Sequence, residues 1–170
     1  KVIASKLAKD LGIHCYENRI LTLASQLSGL DENLFHEVNE KIRETSGISS
    51  FLKGLPRSRN YIARNEKFVS DDKLFDYQSQ IIRSLAEKES CVIVGRCADY
   101  ALEEFPNEIS IFISADIEAR IQRIMRIYSL TEDKARDVIL KTDKKRANYY
   151  NYYSNKKWGE AKGYDLCINS

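Results

Sequence analysis

Arginine side chains, more than any nucleophile or metal ligand, are the groups in this chain that could do chemistry. Arg96 follows Gly95 and the apolar run from Cys91 to Val94. A continuous β-branched run predicts a strand buried on both faces of a parallel sheet, and glycine allows the chain to turn at its end. Arg96 would then lie at the carboxyl edge of the sheet, where its planar guanidinium suits a phosphate or carboxylate. The residues alone leave an ordinary surface ion pair equally open.

A second group of arginines lies on a predicted helix. The apolar pattern predicts this helix from Ile117 to about Tyr128, and Arg120, Arg123 and Arg126 follow one another at a spacing of three residues. Such residues lie on neighbouring turns of roughly one face. A solvated basic face is the usual explanation, and a cationic surface that closes over phosphates is the sharper one.

Several common catalytic patterns are absent from the sequence. There is no GxSxG, no GxGxxG and no recognisable Cys–His pair, so neither a nucleophilic hydrolase nor a dinucleotide-binding fold is indicated. His14 and His36 have no ligand partner at useful spacing, and we expect no metal site. Arginines near strand ends suit phosphoryl transfer, which depends on positioning and charge neutralisation. A glycine-rich phosphate loop, however, is not found in residues 1–170.

Composition limits the class of protein. The chain has 170 residues and a net charge of +2, which fits one domain and gives no bulk electrostatic reason to bind nucleic acid. No apolar run reaches the roughly 18 residues of a membrane span, and the first residues lack a signal-peptide pattern. The four cysteines have no CxxC spacing. We therefore expect a cytoplasmic protein with reduced thiols and no membrane contact.

Hydrophobic periodicity predicts alternating helices and strands, and hence a parallel α/β sheet with right-handed crossovers. Four strands are predicted, at Ile13–Tyr16, Cys91–Val94, Ile109–Ile113 and Tyr164–Asn169. The first predicted helix ends at Gly12. Six more helices are predicted: Glu17–Leu27, Asp31 to about Arg43, Asp71 or Asp72 to Lys88, Ala98 to about Glu104, Ile117–Tyr128, and one that begins at a capping-box-like Ser129–Glu132 and runs to about Tyr150.

Two stretches allow more than one interpretation. Residues 44–70 lack a clear period, and a basic cluster there could face a ligand, although a solvated loop is more usual; its members are Lys53, Arg57, Arg59 and Arg64. The aromatic stretch from Ala147 to Gly159 could stack on bases or form a packing seam against the sheet. A base-stacking surface predicts salt-dependent RNA affinity that falls when Tyr149, Tyr152 or Trp158 is changed to Ala.

Four segments resemble the cytidylate kinase-like family of P-loop nucleoside monophosphate kinases. They read KVIASKLAKDLGI, IIRSLAEKESCVIVGRCADYAL, ISIFISADIEARIQRIMR and TDKKRANYYNYYSNKKWGEAKGYDLCINS. The resemblance covers most of the chain apart from about residues 44–70. The last segment is the most specific, and its matching positions are Asp143, Lys144, Arg146, Tyr149, Tyr150, Trp158, Gly159, Tyr164, Asp165, Leu166 and Asn169.

The resemblance implies an ATP- and Mg²⁺-dependent kinase that phosphorylates a nucleoside monophosphate, CMP or dCMP above all. It implies one domain over residues 1–170 with a three-layer P-loop NTPase-like fold and a parallel sheet of about five strands. Residues 17–70 would be the acceptor-binding insertion and residues 126–159 a helical lid. A first strand and a Gly-Ser-Gly-Gly phosphate loop are expected before Lys1. The alternative is a degenerate relative that binds nucleotide as a sensor or interaction module without turnover.

Specific residues take roles from the same resemblance. Arg96 would hold the phosphate of the acceptor, Asp143 and Arg146 would contact its ribose and phosphate, and Arg120 and Arg123 would neutralise the transferring phosphoryl group. Lys1 would stand at or beside the basic residue of the ATP-binding loop.

The chain also departs from the family pattern at two positions. Cytidylate kinases have an aspartate directly after the Gly-Arg, where this chain has Cys97, with Asp99 two residues further on. An arginine usually stands four residues before Asp143, where this chain has Ile139. The residues therefore do not specify which base the acceptor carries.

Overall fold

The structure, a computed structural model, describes the backbone of residues 1–40 and 70–170 and the side chains of residues 1–36 and 70–170. The predicted cluster of Lys53, Arg57, Arg59 and Arg64 lies outside these ranges. The helices are α1 (Val2–Leu11), α2 (Arg19–Ser28), α3 (Glu32–Glu40), α4 (Asp71–Lys88), α5 (Ala98–Ala101), α6 (Ile117–Tyr128) and α7 (Glu132–Ser154). The strands are β1 (His14–Tyr16), β2 (Cys91–Ile93), β3 (Ile111–Ser114) and β4 (Leu166–Asn169). Among the described residues no helix is long and apolar enough to cross a membrane.

The four described strands form two parallel pairs. β1 pairs with β2, with Cys15 opposite Val92, and β3 pairs with β4, with Phe112 opposite Cys167. The mixed α/β class is confirmed, but a single sheet of about five strands is not, because these strands form two separate two-stranded sheets. The inner edges of β2 and β3 line a shared cleft and do not pair with each other.

The same arrangement accounts for the exposure of β2 and β3. All three residues of β2 are half-buried, so the expectation of a strand buried on both faces is wrong for this structure. On the other sheet, Ile111 and Ile113 are each 41% exposed, and every residue of β4 is exposed. An edge that faces an open cleft has no neighbouring strand whose side chains could cover its own.

Helix α4 organises the core beside the first sheet. One stretch of α4 packs Leu74 against Leu21 of α2 and Phe35 of α3, and Phe35 is fully buried. Further along, Ile82 packs against Tyr16 and the start of α5. Each fully buried aliphatic or aromatic side chain of this kind contributes about 1.5–3 kcal/mol. The loop ends of β1 and β2 are thereby fixed to one rigid support.

The predicted end of α1 is confirmed, since Gly12 follows its last residue with φ 68° and the Gly12 amide donates to the carbonyl oxygens of Ala8 and Lys9. The predicted end of α3 near Arg43 lies outside the described residues. The N-terminal caps of α4 and α7 differ from the prediction. The residue that caps α4 is Ser70, whose hydroxyl accepts from the Lys73 amide, and Asp71 belongs to the first turn, where its charge favours the helix dipole.

The predicted capping box at Ser129 is wrong. Ser129 has φ 52° and ends α6, and Thr131 precedes α7 without a side-chain cap hydrogen bond. Helix α5 ends at Ala101 and not near Glu104, because the turn that follows bonds the Phe105 amide to the Leu102 carbonyl. All four cysteines are free, and Cys167 is exposed.

The register of the second sheet is held where its strands begin. The carboxylate of Asp165 accepts hydrogen bonds from the Ser110 amide at 2.7 Å and from the Ser110 hydroxyl at 2.6 Å. These hydrogen bonds lower the pKa of Asp165 below its ordinary value. The ionised carboxylate therefore favours the folded state.

We predict that Asp165→Asn destabilises the protein near neutral pH and makes its stability fall less as the pH is lowered. Because the folded pKa is lowered, the unfolded chain takes up this proton first, so the stabilising contribution is lost as pH falls below about 4. Urea denaturation midpoints near pH 7 and near pH 3.5 measure the effect. Asp137→Asn is the matched control, because Asp137 is exposed and its ion-pair partner among the described side chains is Lys141 on the same helix. Identical pH profiles for Asp165→Asn and wild type would contradict this account.

Candidate functional site

A cleft of about 1250 Å³ separates the two sheets. Cys91 and Ile93 of β2 line one wall, and Ile111 and Phe112 of β3 line the other. Both strand pairs are parallel, so each sheet presents carboxyl ends along one edge, the usual position for a ligand in an open α/β sheet. The cleft is large enough for a small-molecule ligand.

Arg96 follows β2 in an unusual turn. Gly95, Arg96 and Cys97 have φ values of 70°, 63° and 53°, so three successive residues take the left-handed conformation. For the two residues that carry a Cβ, this conformation costs on the order of 1–3 kcal/mol each. Arg96 lines the cleft, and its Nη2 donates to Oδ1 of Asn18 at 3.2 Å. A strained backbone that presents an arginine at a strand end is typical of a binding site.

A second cation lies at the same edge. Lys1 lines the cleft and forms an ion pair with Glu17, which follows β1 directly. The Lys1 side chain remains 65% exposed. The ends of β1 and β2 therefore bring Lys1, Glu17, Asn18 and Arg96 to one part of the cleft.

Helix α7 supplies further cations of the cleft. Thr142, Lys145, Arg146 and Tyr149 line the cleft, and their spacing places them on neighbouring turns of one helix face. Arg146 is 58% exposed, and its Nη1 lies 3.8 Å from Oδ1 of Asp143. Lys145 was not assigned a role from the sequence, although its helical spacing from Thr142 and Tyr149 could have indicated its direction.

The remaining predicted residues lie beside the cleft and do not line it. Arg120 of α6 donates to both carboxylate oxygens of Asp143, at 2.8 and 2.7 Å, and so joins α6 to α7. Arg123 is exposed and forms no ion pair with any residue whose side chain is described. The structure therefore brings Lys1, Arg96 and Arg146 to the cleft and pairs Arg120 with Asp143 next to it.

The position of Ile139 has a structural explanation. Ile139 is 4% exposed and packs with Ile121 and Ala135 in the apolar core between α6 and α7. A charged side chain there would be buried in that core. The isoleucine instead stabilises the helical hairpin that carries the Arg120–Asp143 pair.

The aromatic stretch forms a packing seam. Tyr153 stacks on Phe75 of α4 with ring centroids 4.0 Å apart, and Tyr149 meets Tyr153 edge to face at 4.9 Å. Trp158 packs edge to face on Phe112 at 5.4 Å. These contacts use the ring faces internally, which favours packing over base stacking as the role of the stretch.

Two polar groups in the cleft wall are held in fixed states. The Tyr150 hydroxyl donates to Oδ2 of Asp99 at 2.6 Å, and burial together with this hydrogen bond raises the pKa of Tyr150 well above its ordinary value. Burial also raises the pKa of the Cys97 thiol, so this thiol stays protonated and is a poor nucleophile. Within the part of the chain that the structure describes, no three His, Cys, Asp or Glu side chains group as metal ligands.

Comparisons with known proteins place the chain in a family and find a similar fold. A family model described as the cytidylate kinase-like family matches residues 1–170, the whole chain. A crystal structure of an uncharacterized protein from Eubacterium ventriosum is 31% identical, with a TM-score of 0.66, over 99% of this chain and 80% of that chain. The comparison with curated proteins gives no match.

We predict that Arg120 and Asp143 stabilise the α6–α7 hairpin as a coupled pair. The side chains are only 32% and 22% exposed, so Arg120→Gln, Asp143→Asn and the double variant should show a coupling of about 1 kcal/mol. Urea denaturation of the four proteins gives this value. The pair Arg136–Glu118 joins the same two helices but is 41% and 67% exposed, so its own cycle should give a smaller coupling. Equal couplings for both pairs would show that burial does not strengthen the first.

Proposed function

The chain belongs to the cytidylate kinase-like family, and we propose that it transfers a phosphoryl group from ATP to a nucleoside monophosphate, with CMP or dCMP as the acceptor. One observation carries this proposal. Arg96 is held in a left-handed turn at the carboxyl edge of a parallel sheet and lines a cleft that also contains Arg146. Two guanidinium groups that line one cleft suit a phosphate group.

The acceptor phosphate would be held from two sides. Arg96 approaches from β2 and Arg146 from α7, so the two guanidinium groups belong to different elements. Arg120 would act mainly by holding Asp143 through their ion pair, since Asp143 stands three residues before Arg146 and contacts it weakly. Arg123, exposed on α6, would neutralise the transferring phosphoryl group only when the hairpin lies over the cleft.

The strand and phosphate loop implied by the resemblance would fit the space between the sheets. The inner edges of β2 and β3 both face the cleft, and Lys1 lies at its carboxyl edge beside Glu17. A strand that runs parallel to Cys91–Ile93 would pair with both edges, complete a five-stranded sheet and end near Lys1. Lys1 would then be close to the phosphates of ATP.

The chemical step is an in-line displacement. An oxygen of the acceptor phosphate attacks the γ-phosphorus of ATP, the bond to the β–γ bridging oxygen breaks, and ADP leaves with that electron pair. Kinases of this kind generally use Mg²⁺, which takes most of its ligands from phosphates and water. The protein itself would orient the acceptor, supply positive charge and exclude water when residues 126–159 close as a lid.

We predict turnover of CMP with ATP and Mg²⁺, and its collapse when the arginines in the cleft are removed. Each nucleoside monophosphate is supplied in turn to the full-length protein, and ADP release is followed. Arg96→Ala and Arg146→Ala should each lower kcat/KM for the acceptor about 100- to 1000-fold, because each removes a charge fixed at the reacting phosphate. Arg136→Ala is the matched control, since Arg136 lies on α7 but does not line the cleft.

The outcomes separate the two hypotheses. Turnover that survives both cleft substitutions would contradict the site. Nucleotide binding without turnover of any monophosphate would overturn the kinase and support the degenerate binder. Thermal unfolding of each variant shows whether a loss of activity reflects a loss of the fold.

A further inference from the structure

Lys145 is a cation in the cleft wall to which neither the sequence nor the resemblance gives a role. It lies on α7, lines the cleft and is half-buried, whereas its neighbour Lys144 is exposed and does not line the cleft. Two adjacent lysines on one helix therefore have different surroundings. Only Lys145 faces the space that also contains Arg96.

Three carboxylates at or beside the cleft have partners other than Lys145. Asp143 accepts from Arg120, Asp99 accepts from Tyr150, and Glu17 pairs with Lys1. Among the residues whose side chains are described, Lys145 has no ion-pair partner. A half-buried ammonium group without a counter-ion is unfavourable, and an anionic ligand would relieve that cost.

We propose that Lys145 is a third cation of the acceptor-phosphate site and binds the same phosphate group as Arg96 and Arg146. The identity of the ligand rests on the proposed function; the position of the cation does not. A phosphate monoester carries close to two negative charges and three acceptor oxygens near pH 7. Two planar guanidinium groups and one ammonium supply three positive charges for those nearly two negative charges, and at least one hydrogen-bond donor for each of the three oxygens.

The proposal places two charges of the site on adjacent residues of one helix. Arg146 is 58% exposed and partly held by Asp143, so Lys145 is the more enclosed of the pair. Electrostatic interaction with a phosphate strengthens as water is excluded. Lys145 should therefore contribute at least as much to phosphate affinity as Arg146 does.

The test compares CMP with cytidine, which lacks only the phosphate group. Calorimetry without ATP gives both dissociation constants for wild type, Lys145→Gln, Lys145→Arg and Lys144→Gln. We expect Lys145→Gln to weaken CMP binding roughly 10- to 100-fold and to leave cytidine binding unchanged, because only the phosphate contact is lost. Lys145→Arg should restore most of the affinity, and Lys144→Gln should behave as wild type.

Every outcome bears on the proposal. CMP affinity that is equal in Lys145→Gln and wild type would overturn it, as would an equal loss in Lys144→Gln, which would show a general charge effect. A wild-type protein that binds CMP no better than cytidine would overturn it too. Phosphate-dependent binding that needs Lys145, together with no turnover in the ADP assay, would support Lys145 and reject only the kinase.

Discussion

The left-handed turn after β2 is the constraint on which the site depends. Gly95, Arg96 and Cys97 leave the strand in a conformation that is unfavourable for two of them, and packing immediately downstream offsets the cost. Ala98 and Ala101 of α5 are buried against Tyr16 and Ile82. Because α5 is anchored in this core, Arg96 is held at the carboxyl edge of the sheet, where Asn18 accepts a hydrogen bond from it.

The cations of the cleft come from local placement, not from the total charge of the chain. The chain carries 27 basic and 25 acidic residues, so its net charge of +2 gives little long-range attraction. Lys1, Arg96, Lys145 and Arg146 nevertheless reach one cleft from the first residue, the turn after β2 and helix α7. Surrounding apolar strands reduce the screening of these charges by water. A phosphate ligand would therefore be recognised at contact distance.

The elements of the fold could be predicted from the sequence better than their assembly. Short apolar runs predicted all four described strands, and Gly12 predicted the end of α1. Strand pairing was not predictable in the same way, because it depends on edges from distant segments, and the inner edges of β2 and β3 face a cleft. Ser129 was misassigned because serine is typical of a helix start, whereas here it follows the end of α6 in a left-handed conformation that serine rarely adopts.

Site residues could be predicted where the pattern was local in sequence, and could not be predicted where the contact joins distant segments. The carboxyl-edge position of Arg96 followed from the order of strand and turn, which are adjacent in sequence. The pairing of Arg120 with Asp143 joins residues that are far apart in sequence and depends on how α6 crosses α7, so no local pattern contained it. Lys144 and Lys145 are adjacent residues of one type, and only the orientation of α7 shows that Lys145, and not Lys144, lines the cleft.

The two ends of helix α7 pack against different parts of the protein, and this restricts how a lid could move. Its C-terminal part is anchored, since Tyr150 donates to Asp99 and Tyr153 stacks on Phe75 of α4. Its N-terminal part packs on α6, through Ala135 and Ile139. A closing motion of residues 126–159 that preserved the aromatic seam would have to bend α7 between these parts. Lys145 and Arg146 lie at that boundary, so closure could change their distance from Arg96 while Tyr149 kept its place in the cleft wall.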